Sequence, residues 1–160
     1  MGGKATAVVV SDSHGNFDAL YQVMQIIPKP DALLFLGDGY QDFEDLQSVF
    51  PDIPMIGVPG NRDFDCTEKD TKMYELAGKQ IFLAHGHAHY AKVTIGPLCK
   101  AAAEAHAQIA LYGHTHYPVV FRDPGGILIM NPGSINSGSY GLLTVDGDSV
   151  DAQLCELPRR

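Results

Sequence analysis

Side chains that bind metal ions occur at five places in this chain, and each place directly follows an apolar segment. The residues are Asp12, His14, Asp38, Asn61, His85, His114 and His116. Carboxylate, amide and imidazole groups without cysteine favour Mn²⁺, Fe²⁺, Zn²⁺, Co²⁺ or Ni²⁺ over a thiolate site, and so many imidazoles disfavour Ca²⁺ or Mg²⁺. Seven ligands exceed what one ion needs, so the pattern indicates two ions that share a carboxylate. Such a pair can hold a phosphoryl group and lower the pKa of a bound water.

Each segment also has a simpler interpretation. Asp12-Ser13-His14 and Asp38 could cap the helices that follow them, and His85-Gly86-His87 could be a polar loop. We favour a metal site because five separate segments repeat the same arrangement, which chance placement would rarely produce.

The apolar segments that precede these residues have the length and composition of buried strands. They are Ala5–Val10, Ala32–Leu36, Ile53–Val58, Gln80–Ala84 and Ile109–Tyr112. The first three alternate with two segments of helical periodicity, Phe17–Ile27 and Gln41–Phe50, and this order predicts parallel strands covered by helices. Asn16 is predicted to cap the first helix. Because sites in such sheets form at the carboxyl ends of strands, the five segments are predicted to present their ligands at one place.

The second half of the chain has a different pattern. Gly78-Lys79 separates two β-prone segments as in a hairpin, and Pro97–Gln108 is predicted to be a third helix. Further strands are predicted over Lys72–Ala77, Val119–Arg122, Ile127–Met130, Leu142–Val145 and Val150–Leu154. Turns join neighbouring pairs of these strands, so this half is predicted to be mainly antiparallel. Together the elements predict one α/β domain over residues 1–160, with two packed sheets and helices outside.

The composition excludes several classes of protein. The 160 residues carry a formal net charge of −8, whereas a general nucleic-acid binder is usually basic. No apolar run is long enough to cross a bilayer, and the first residues lack the features of a signal peptide. Cys66, Cys99 and Cys155 are widely spaced without a CxxC pair, which is typical of reduced thiols. We therefore expect a cytoplasmic protein that does not bind membranes, and the composition gives no strong sign of nucleic-acid binding.

Five short motifs occur in the order and rough spacing of a known family. They are Asp12-Ser13-His14, Gly37-Asp38, Gly60-Asn61-Arg62-Asp63, His85-Gly86-His87 and Gly113-His114-Thr115-His116. In these motifs the chain resembles the calcineurin-like metallophosphoesterases, from Ala7 to about Val145. Its small size and its Asn131-Pro132-Gly133-Ser134 segment are similar to the short bacterial and archaeal phosphodiesterase branch.

The resemblance implies a fold, a metal centre and a reaction. The fold would be a four-layer α-β-β-α sandwich of two mixed sheets flanked by helices. Asp38 would bridge two ions, of which one is held by Asp12, His14 and His116 and the other by Asn61, His85 and His114. A water or hydroxide between the metals would attack phosphorus in line and hydrolyse a small phosphate diester. The expected cofactor is two divalent ions, Mn²⁺ in the first place, with Ni²⁺, Co²⁺, Fe²⁺ or Zn²⁺ as alternatives.

One position departs from the family pattern and bears on catalysis. Many members have histidine where this chain has Arg62, and that histidine assists the leaving group or the phosphate. Arg62 can bind a phosphate oxygen through two hydrogen bonds, but it keeps its proton near neutral pH and cannot act as a general acid. His87 is the candidate for that role, although an orienting or solvated residue would look the same in sequence. Asn61 is also expected to touch a phosphate oxygen.

Two other functions are compatible with the same motifs. One is a phosphomonoesterase or nucleotidase, which differs from a phosphodiesterase in its substrate. The other is a non-catalytic interaction scaffold with the same fold, although every ligand position of this chain is filled by a competent residue type. A small phosphate ester is the expected partner, and exposed apolar helix positions are compatible with a homo-oligomer.

Overall fold

The computed structural model describes residues 4–27, 29–63, 66–87 and 95–158. The α-helices in these ranges are α1 (Phe17–Ile26), α2 (Tyr40–Val49) and α3 (Gly96–Glu104). The strands are β1 (Lys4–Val10), β2 (Ala32–Phe35), β3 (Met55–Gly57), β4 (Thr71–Leu76), β5 (Lys79–Ala84), β6 (Ile109–Leu111), β7 (Val119–Arg122), β8 (Leu128–Asn131), β9 (Ser139–Asp146) and β10 (Ser149–Glu156). A 3₁₀ turn over Ile135–Ser137 precedes β9.

The strands form two mixed sheets of five strands each. The first sheet has the order β10-β9-β1-β2-β3, in which β1, β2 and β3 are parallel and the β9–β10 hairpin is antiparallel. The second has the order β4-β5-β6-β8-β7, in which β5, β6 and β8 are parallel and the outer strands are antiparallel to their neighbours. Each sheet therefore has a group of three parallel strands whose carboxyl ends face the same way.

Three apolar clusters hold the layers together. Alternate residues of a strand point to opposite faces of the sheet, so Val9 packs between the two sheets with Leu83, while Val8 packs outward against Leu20 of α1. On the far side, Leu98 of α3 covers the outer face of the second sheet. The order helix, sheet, sheet, helix confirms the predicted α-β-β-α sandwich.

The first helix begins as the sequence predicts. The Asn16 side chain accepts a hydrogen bond from the Ala19 N–H at 3.2 Å, which satisfies one of the free donors at the helix N-terminus. Leu20, Val23 and Met24 then repeat at helical spacing and are buried. None of the described helices is both long enough and apolar enough to span a membrane.

The second half of the chain is mainly antiparallel, as predicted, because β4–β5, β7–β8 and β9–β10 are antiparallel pairs. It also contains three parallel strands, β5, β6 and β8, which α3 and β7 connect as crossover segments. The end of the third helix was predicted wrongly. The third helix does not reach Gln108, because His106 adopts a left-handed conformation with φ 60° directly after Ala105, the residue that closes the last turn.

Candidate metal centre

All seven predicted ligands lie on loops that leave the carboxyl ends of parallel strands. These loops follow β1, β2, β3, β5 and β6. Backbone hydrogen bonds join neighbouring loops within each sheet. The Asp12 N–H donates to the Gly37 carbonyl at 2.8 Å, and the Gly113 N–H donates to the His85 carbonyl at 2.9 Å. The structure thus brings together residues that are more than one hundred positions apart in sequence.

One group of candidate ligands, here called the outer half-site, comprises Asp12, His14 and His116. Their ligand atoms lie within 4.8 Å of one another. Asp12 Oδ1 is 3.4 Å from His116 Nε2 and 3.7 Å from His14 Nε2. Asp12 is fully buried, but the His14 side chain is 31% exposed and the His116 side chain is 48% exposed. The outer half-site therefore opens to solvent.

A second group, here called the inner half-site, comprises Asp38, His85 and His114, again with ligand atoms within 4.8 Å of one another. Asp38 Oδ2 is 3.3 Å from His85 Nε2, and the side chains are 4% and 0% exposed. The Asn61 Oδ1 atom is 3.1 Å from the same Nε2 atom, so this predicted ligand also faces the inner half-site. The two half-sites adjoin, because His85 Nε2 is only 3.8 Å from Asp12 Oδ1.

The donor and acceptor atoms of the centre fit divalent cations. Asp12 Oδ1 is buried and has no hydrogen-bond partner in the described part of the chain, although three imidazole Nε2 atoms surround it at 3.4–3.8 Å. Because a carbonyl oxygen only accepts, His85 Nδ1 must donate to the Leu36 carbonyl at 2.7 Å. In the neutral ring, the Nε2 atom of His85 then carries a lone pair. A buried carboxylate oxygen facing lone pairs is unfavourable unless a proton or a cation lies between them.

The charged groups of the metal-free centre shift one another's pKa values. Burial raises the pKa of Asp12, although the nearby His85 favours its charged form. Burial also opposes ionisation of Asp38, but the hydrogen bond and charge of His85 outweigh it and lower the pKa of Asp38 to about 2. Burial alone would lower the pKa of His85, whereas the carboxylates of Asp38 and Asp12 raise it. The inner half-site therefore attracts a positive charge, which a proton or a metal ion can provide.

Most of the predicted ligands have an unusual backbone conformation. Positive φ angles occur at Asp12 (57°), His14 (46°), Asp38 (60°), His114 (66°) and His116 (62°). The left-handed region is uncommon for residues with a Cβ atom and costs roughly 1–3 kcal/mol per residue, so it persists only where the surrounding structure enforces it. Such strain concentrates at functional sites, and here it coincides with the candidate ligands.

Two glycines allow the carboxylates to approach the loops closely. A Cβ atom at Gly60 would overlap Asp38 Oδ1, and a Cβ atom at Gly113 would overlap Ser11 Oγ and lie 2.9 Å from Asp12 Oδ2. Any other residue at these positions would displace a candidate ligand.

Asp63 joins the two loops that carry Asp38 and Asn61. Its Oδ2 atom accepts the N–H groups of Asp38 and Gly60, both at 2.8 Å. Its Oδ1 atom accepts the N–H groups of residues 39 and 40 at 2.9 and 3.0 Å, at the N-terminus of α2. Asp63 thus fixes the loop and caps the helix at the same time, because both of its oxygens are saturated by backbone donors.

Asp42 has the corresponding role for the outer half-site, and sequence reasoning missed it. Its Oδ2 atom accepts the Ser13 hydroxyl at 2.6 Å and the Gly15 N–H at 2.8 Å, which holds the loop that carries Asp12 and His14. The available signal was an acidic residue on the buried face of α2, next to Phe43.

The side chains of Asn131 and Ser134 form hydrogen bonds with the loops that carry the candidate ligands. Asn131 is fully buried, and its Nδ2 atom donates to the Gly113 carbonyl at 3.1 Å and to Thr115 Oγ1 at 2.8 Å. Ser134 Oγ donates to the Asp12 carbonyl at 2.8 Å. The side chains of Asn131 and Ser134 therefore hold the loops of both sheets in place.

Arg62 and His87, the candidate catalytic residues, lie at the border of the inner half-site. The Arg62 N–H donates to Asp38 Oδ1 at 2.8 Å, while its side chain is exposed and lines a neighbouring cleft. The His87 ring centroid is 5.5 Å from that of His85 and 6.3 Å from that of His114.

Comparisons with known proteins identify related sequences and structures. The family model described as "Calcineurin-like phosphoesterase superfamily domain" matches residues 6–148. The chain is 31% identical over 157 residues to the probable metallophosphoesterase YsnB of Bacillus subtilis, with 89% of this chain and 86% of that protein covered. The crystal structure of a predicted phosphoesterase from Streptococcus pneumoniae superposes with a TM-score of 0.81 at 28% identity, covering 96% of this chain and 90% of that one.

More distant structures share the fold alone. A novel archaeal phosphodiesterase has a TM-score of 0.71 at 17% identity, covering 94% of this chain and 99% of that one. Vps29 of Entamoeba histolytica, crystallised with Zn²⁺, has a TM-score of 0.71 at 18% identity, covering 96% of this chain and 99% of that one. The match over residues 6–148, with the B. subtilis relative and the two adjoining ligand groups, places this chain in the calcineurin-like phosphoesterase superfamily.

Proposed function

We propose that this protein is a phosphodiesterase that uses two divalent metal ions, one in each half-site, with Asp38 as the shared ligand. The observation that carries the proposal is that two complete ligand groups adjoin at the carboxyl ends of both sheets. When bound, the ions would supply Lewis acidity and an attacking water of lowered pKa. Mn²⁺ is the first candidate because imidazole and carboxylate ligands suit it, and Zn²⁺ in Vps29 supports a transition metal in this fold.

The charges of the centre support binding of a phosphate ester. Two divalent ions carry four positive charges, and the carboxylates of Asp12 and Asp38 carry two negative ones. The difference is a net positive charge at the centre, in a protein whose formal net charge is −8. A local positive charge of this kind is what allows an acidic protein to attract an anionic substrate.

Three residues at the border of the inner half-site would act on the substrate directly. The Asn61 amide and the Arg62 guanidinium would bind non-bridging phosphate oxygens, since both residues are exposed, Asn61 contacts His85 and Arg62 contacts Asp38. A protonated His87 would donate to the leaving oxygen, because Arg62 holds its own proton too tightly for that role. The cleft beside Arg62 leaves room for a second ester group, and the archaeal phosphodiesterase of the same fold is consistent with this choice of substrate.

The test combines metal counting with turnover of matched esters. The protein is stripped with chelator, reloaded with Mn²⁺, Ni²⁺, Co²⁺, Zn²⁺ or Mg²⁺, and assayed on bis-p-nitrophenyl phosphate and p-nitrophenyl phosphate. We expect two ions per chain and faster hydrolysis of the diester, with Mn²⁺ more effective than Mg²⁺. Faster hydrolysis of the monoester would indicate a phosphomonoesterase instead. Bound metal without turnover of either ester would indicate a scaffold.

Matched variants make the test specific to the centre. His116→Gly removes a ligand without strain, because glycine accepts the left-handed φ of 62°. His106→Gly is the control, since His106 has a φ of 60° but lies at the end of α3, outside both half-sites. Turnover should fall in the first variant and stay unchanged in the second.

A further inference from the structure

A cleft of about 460 Å³ opens beside the inner half-site. Its lining includes Tyr40, Gln41 and Glu44 from the start of α2, and Arg62 and Glu68 from the segment after β3. Arg62 belongs to both places, because its backbone N–H contacts Asp38 Oδ1 at 2.8 Å while its side chain lines the cleft. A phosphate ester held at the metal centre would therefore have one ester group next to this cleft.

Two of the four charged residues that line the cleft, Asp63 and Glu68, already have partners. Both oxygens of Asp63 are saturated by backbone N–H donors. Glu68 accepts a hydrogen bond from Lys72 Nζ at 2.6 Å. The Asp63 oxygens therefore offer no free acceptor to a ligand, and Lys72 offsets the charge of Glu68.

Two charges at the cleft have no such partner. The side chains of Arg62 and Glu44 make no ion pair or hydrogen bond with the residues that the structure describes, and both are exposed. Arg62 lies at the end next to the metal centre, where the phosphate would be. Glu44 lies on α2 one helical turn beyond Tyr40, so the cleft is positive at the phosphate end and negative further along.

We propose that this cleft binds one alcohol group of the phosphate diester and that Glu44 selects an alcohol that carries an ammonium group over one that carries an anion. The proposal rests on the proposed function and names a substrate class for it, a phosphodiester of an amino alcohol. Arg62 binds the phosphate, and the carboxylate of Glu44 accepts hydrogen bonds from the ammonium group and repels a carboxylate or a second phosphate.

The test uses three p-nitrophenyl diesters that differ only in the retained alcohol. These are the ethyl, 2-aminoethyl and carboxymethyl esters, which are neutral, cationic and anionic in that group. The readout is the ratio of kcat/KM for the aminoethyl ester to that for the carboxymethyl ester, because the shared nitrophenolate leaving group cancels from the ratio. In the wild-type protein we expect kcat/KM to be highest for the aminoethyl ester, intermediate for the ethyl ester and lowest for the carboxymethyl ester.

Three variants make the readout specific to Glu44. Glu44→Gln should lower the ratio roughly five- to tenfold, as expected for loss of an attraction and a repulsion at a partly exposed site, and Glu44→Lys should invert the order. Glu104→Lys makes the same charge change on α3, on the opposite side of the sandwich, and should leave the ratio unchanged. Equal ratios in the wild-type protein and both Glu44 variants would overturn the proposal.

A binding measurement separates this proposal from the proposed function. If none of the three diesters is hydrolysed, the proposed function fails, and the cleft is then tested by calorimetry. The metal-loaded protein is titrated with 2-aminoethyl phosphate and with carboxymethyl phosphate. Tighter binding of the aminoethyl compound that is lost in Glu44→Gln supports the cleft assignment. Equal affinities in both proteins contradict it.

Discussion

The inner and outer half-sites contain the same ligand types, one carboxylate and two imidazoles, but they differ in burial. The side chains of Asp38 and His85 in the inner half-site are at most 4% exposed. Those of His14 and His116 in the outer half-site are 31% and 48% exposed. Because burial excludes competing water and strengthens electrostatic attraction, we expect the inner half-site to retain its ion more tightly.

The two half-sites also differ in how firmly their imidazoles are held. The His85 ring is oriented by its hydrogen bond to the Leu36 carbonyl at 2.7 Å. Neither His14 nor His116 has a hydrogen bond at Nδ1 within the described ranges, and their Nε2 atoms are 3.4 Å apart. A ligand that is already oriented loses less freedom when it binds metal. We therefore expect similar ligand chemistry to give unequal affinity, so that an inner ion would stay bound and an outer ion would exchange.

The largest effect is expected for replacement of Asp38, because Asp38 would serve both half-sites. Its loss would weaken both half-sites and so remove the difference between them. In Asp38→Asn the amide can still accept the Arg62 N–H and asparagine tolerates the left-handed φ of 60°, but the negative charge is lost. Loss of a group that only hydrogen-bonds to a metal ligand already costs about 10–100-fold in metal affinity or activity. Loss of a ligand itself should therefore lower kcat/KM by more than roughly 100-fold. Metal analysis should show fewer than one ion per chain. Two retained ions would show that Asp38 does not bridge.

A matched pair of histidines compares the half-sites directly. His114 belongs to the inner and His116 to the outer half-site, with φ angles of 66° and 62°, so glycine fits both positions. After dialysis against a weak chelator, the wild-type protein and His116→Gly should each retain one ion, and His114→Gly should retain none. Metal per chain is measured by mass spectrometry, with His106→Gly as the control. Equal loss from both variants would mean that burial does not set retention.

A second matched pair concerns the carboxylates that hold the ligand loops. Each oxygen of Asp63 accepts two N–H groups, so Asp63→Asn would turn an amide NH₂ toward two donors. Both donors to Asp42 bond Oδ2, so the amide oxygen of Asp42→Asn can replace it. We expect a loss of roughly 2–4 kcal/mol in the free energy of unfolding for Asp63→Asn and about 1 kcal/mol for Asp42→Asn. Urea unfolding of the metal-free variants measures both, and a larger loss for Asp42→Asn would contradict the stated geometry.

The smallest effect is a pH dependence that belongs to the inner half-site. The raised pKa of His85 adds stability to the metal-free protein that is complete below about pH 6.5 and is lost as the pH rises through the folded-state pKa. The lowered pKa of Asp38 adds stability that is present above its ordinary pKa of 3.8 and is lost as the pH falls toward about 2.

Metal ions should reverse the first of these trends, because they compete with the proton on His85. From about pH 6.5 upward, the Tm should fall in chelator and rise in Mn²⁺. Thermal unfolding at a series of pH values measures both curves, and His85→Gln should lose the divergence. Parallel curves in the wild-type protein would show that no metal replaces this proton.

Much of the fold and of the ligand set could be predicted because both depend on local patterns. Apolar segments bounded by glycine or proline place β1, β2, β5 and β6 to within one or two residues, and each predicted ligand follows one of the predicted strands. The supporting side chains could not be predicted in the same way. Ser134 and Asp12 are 122 positions apart, and Ser13 and Asp42 are 29 apart, so no short-range pattern marks these hydrogen bonds.

The sequence by itself determined which residue types stand at the strand ends, and hence that metal ions and phosphate esters were the chemistry to consider. The family resemblance already implied which ligands share an ion, and only the tertiary structure decided which of them are exposed. His114 and His116 are two positions apart in one motif, yet they belong to different half-sites. The reason is physical: both half-sites are built from loops of different strands, and burial depends on how the loops of two sheets meet.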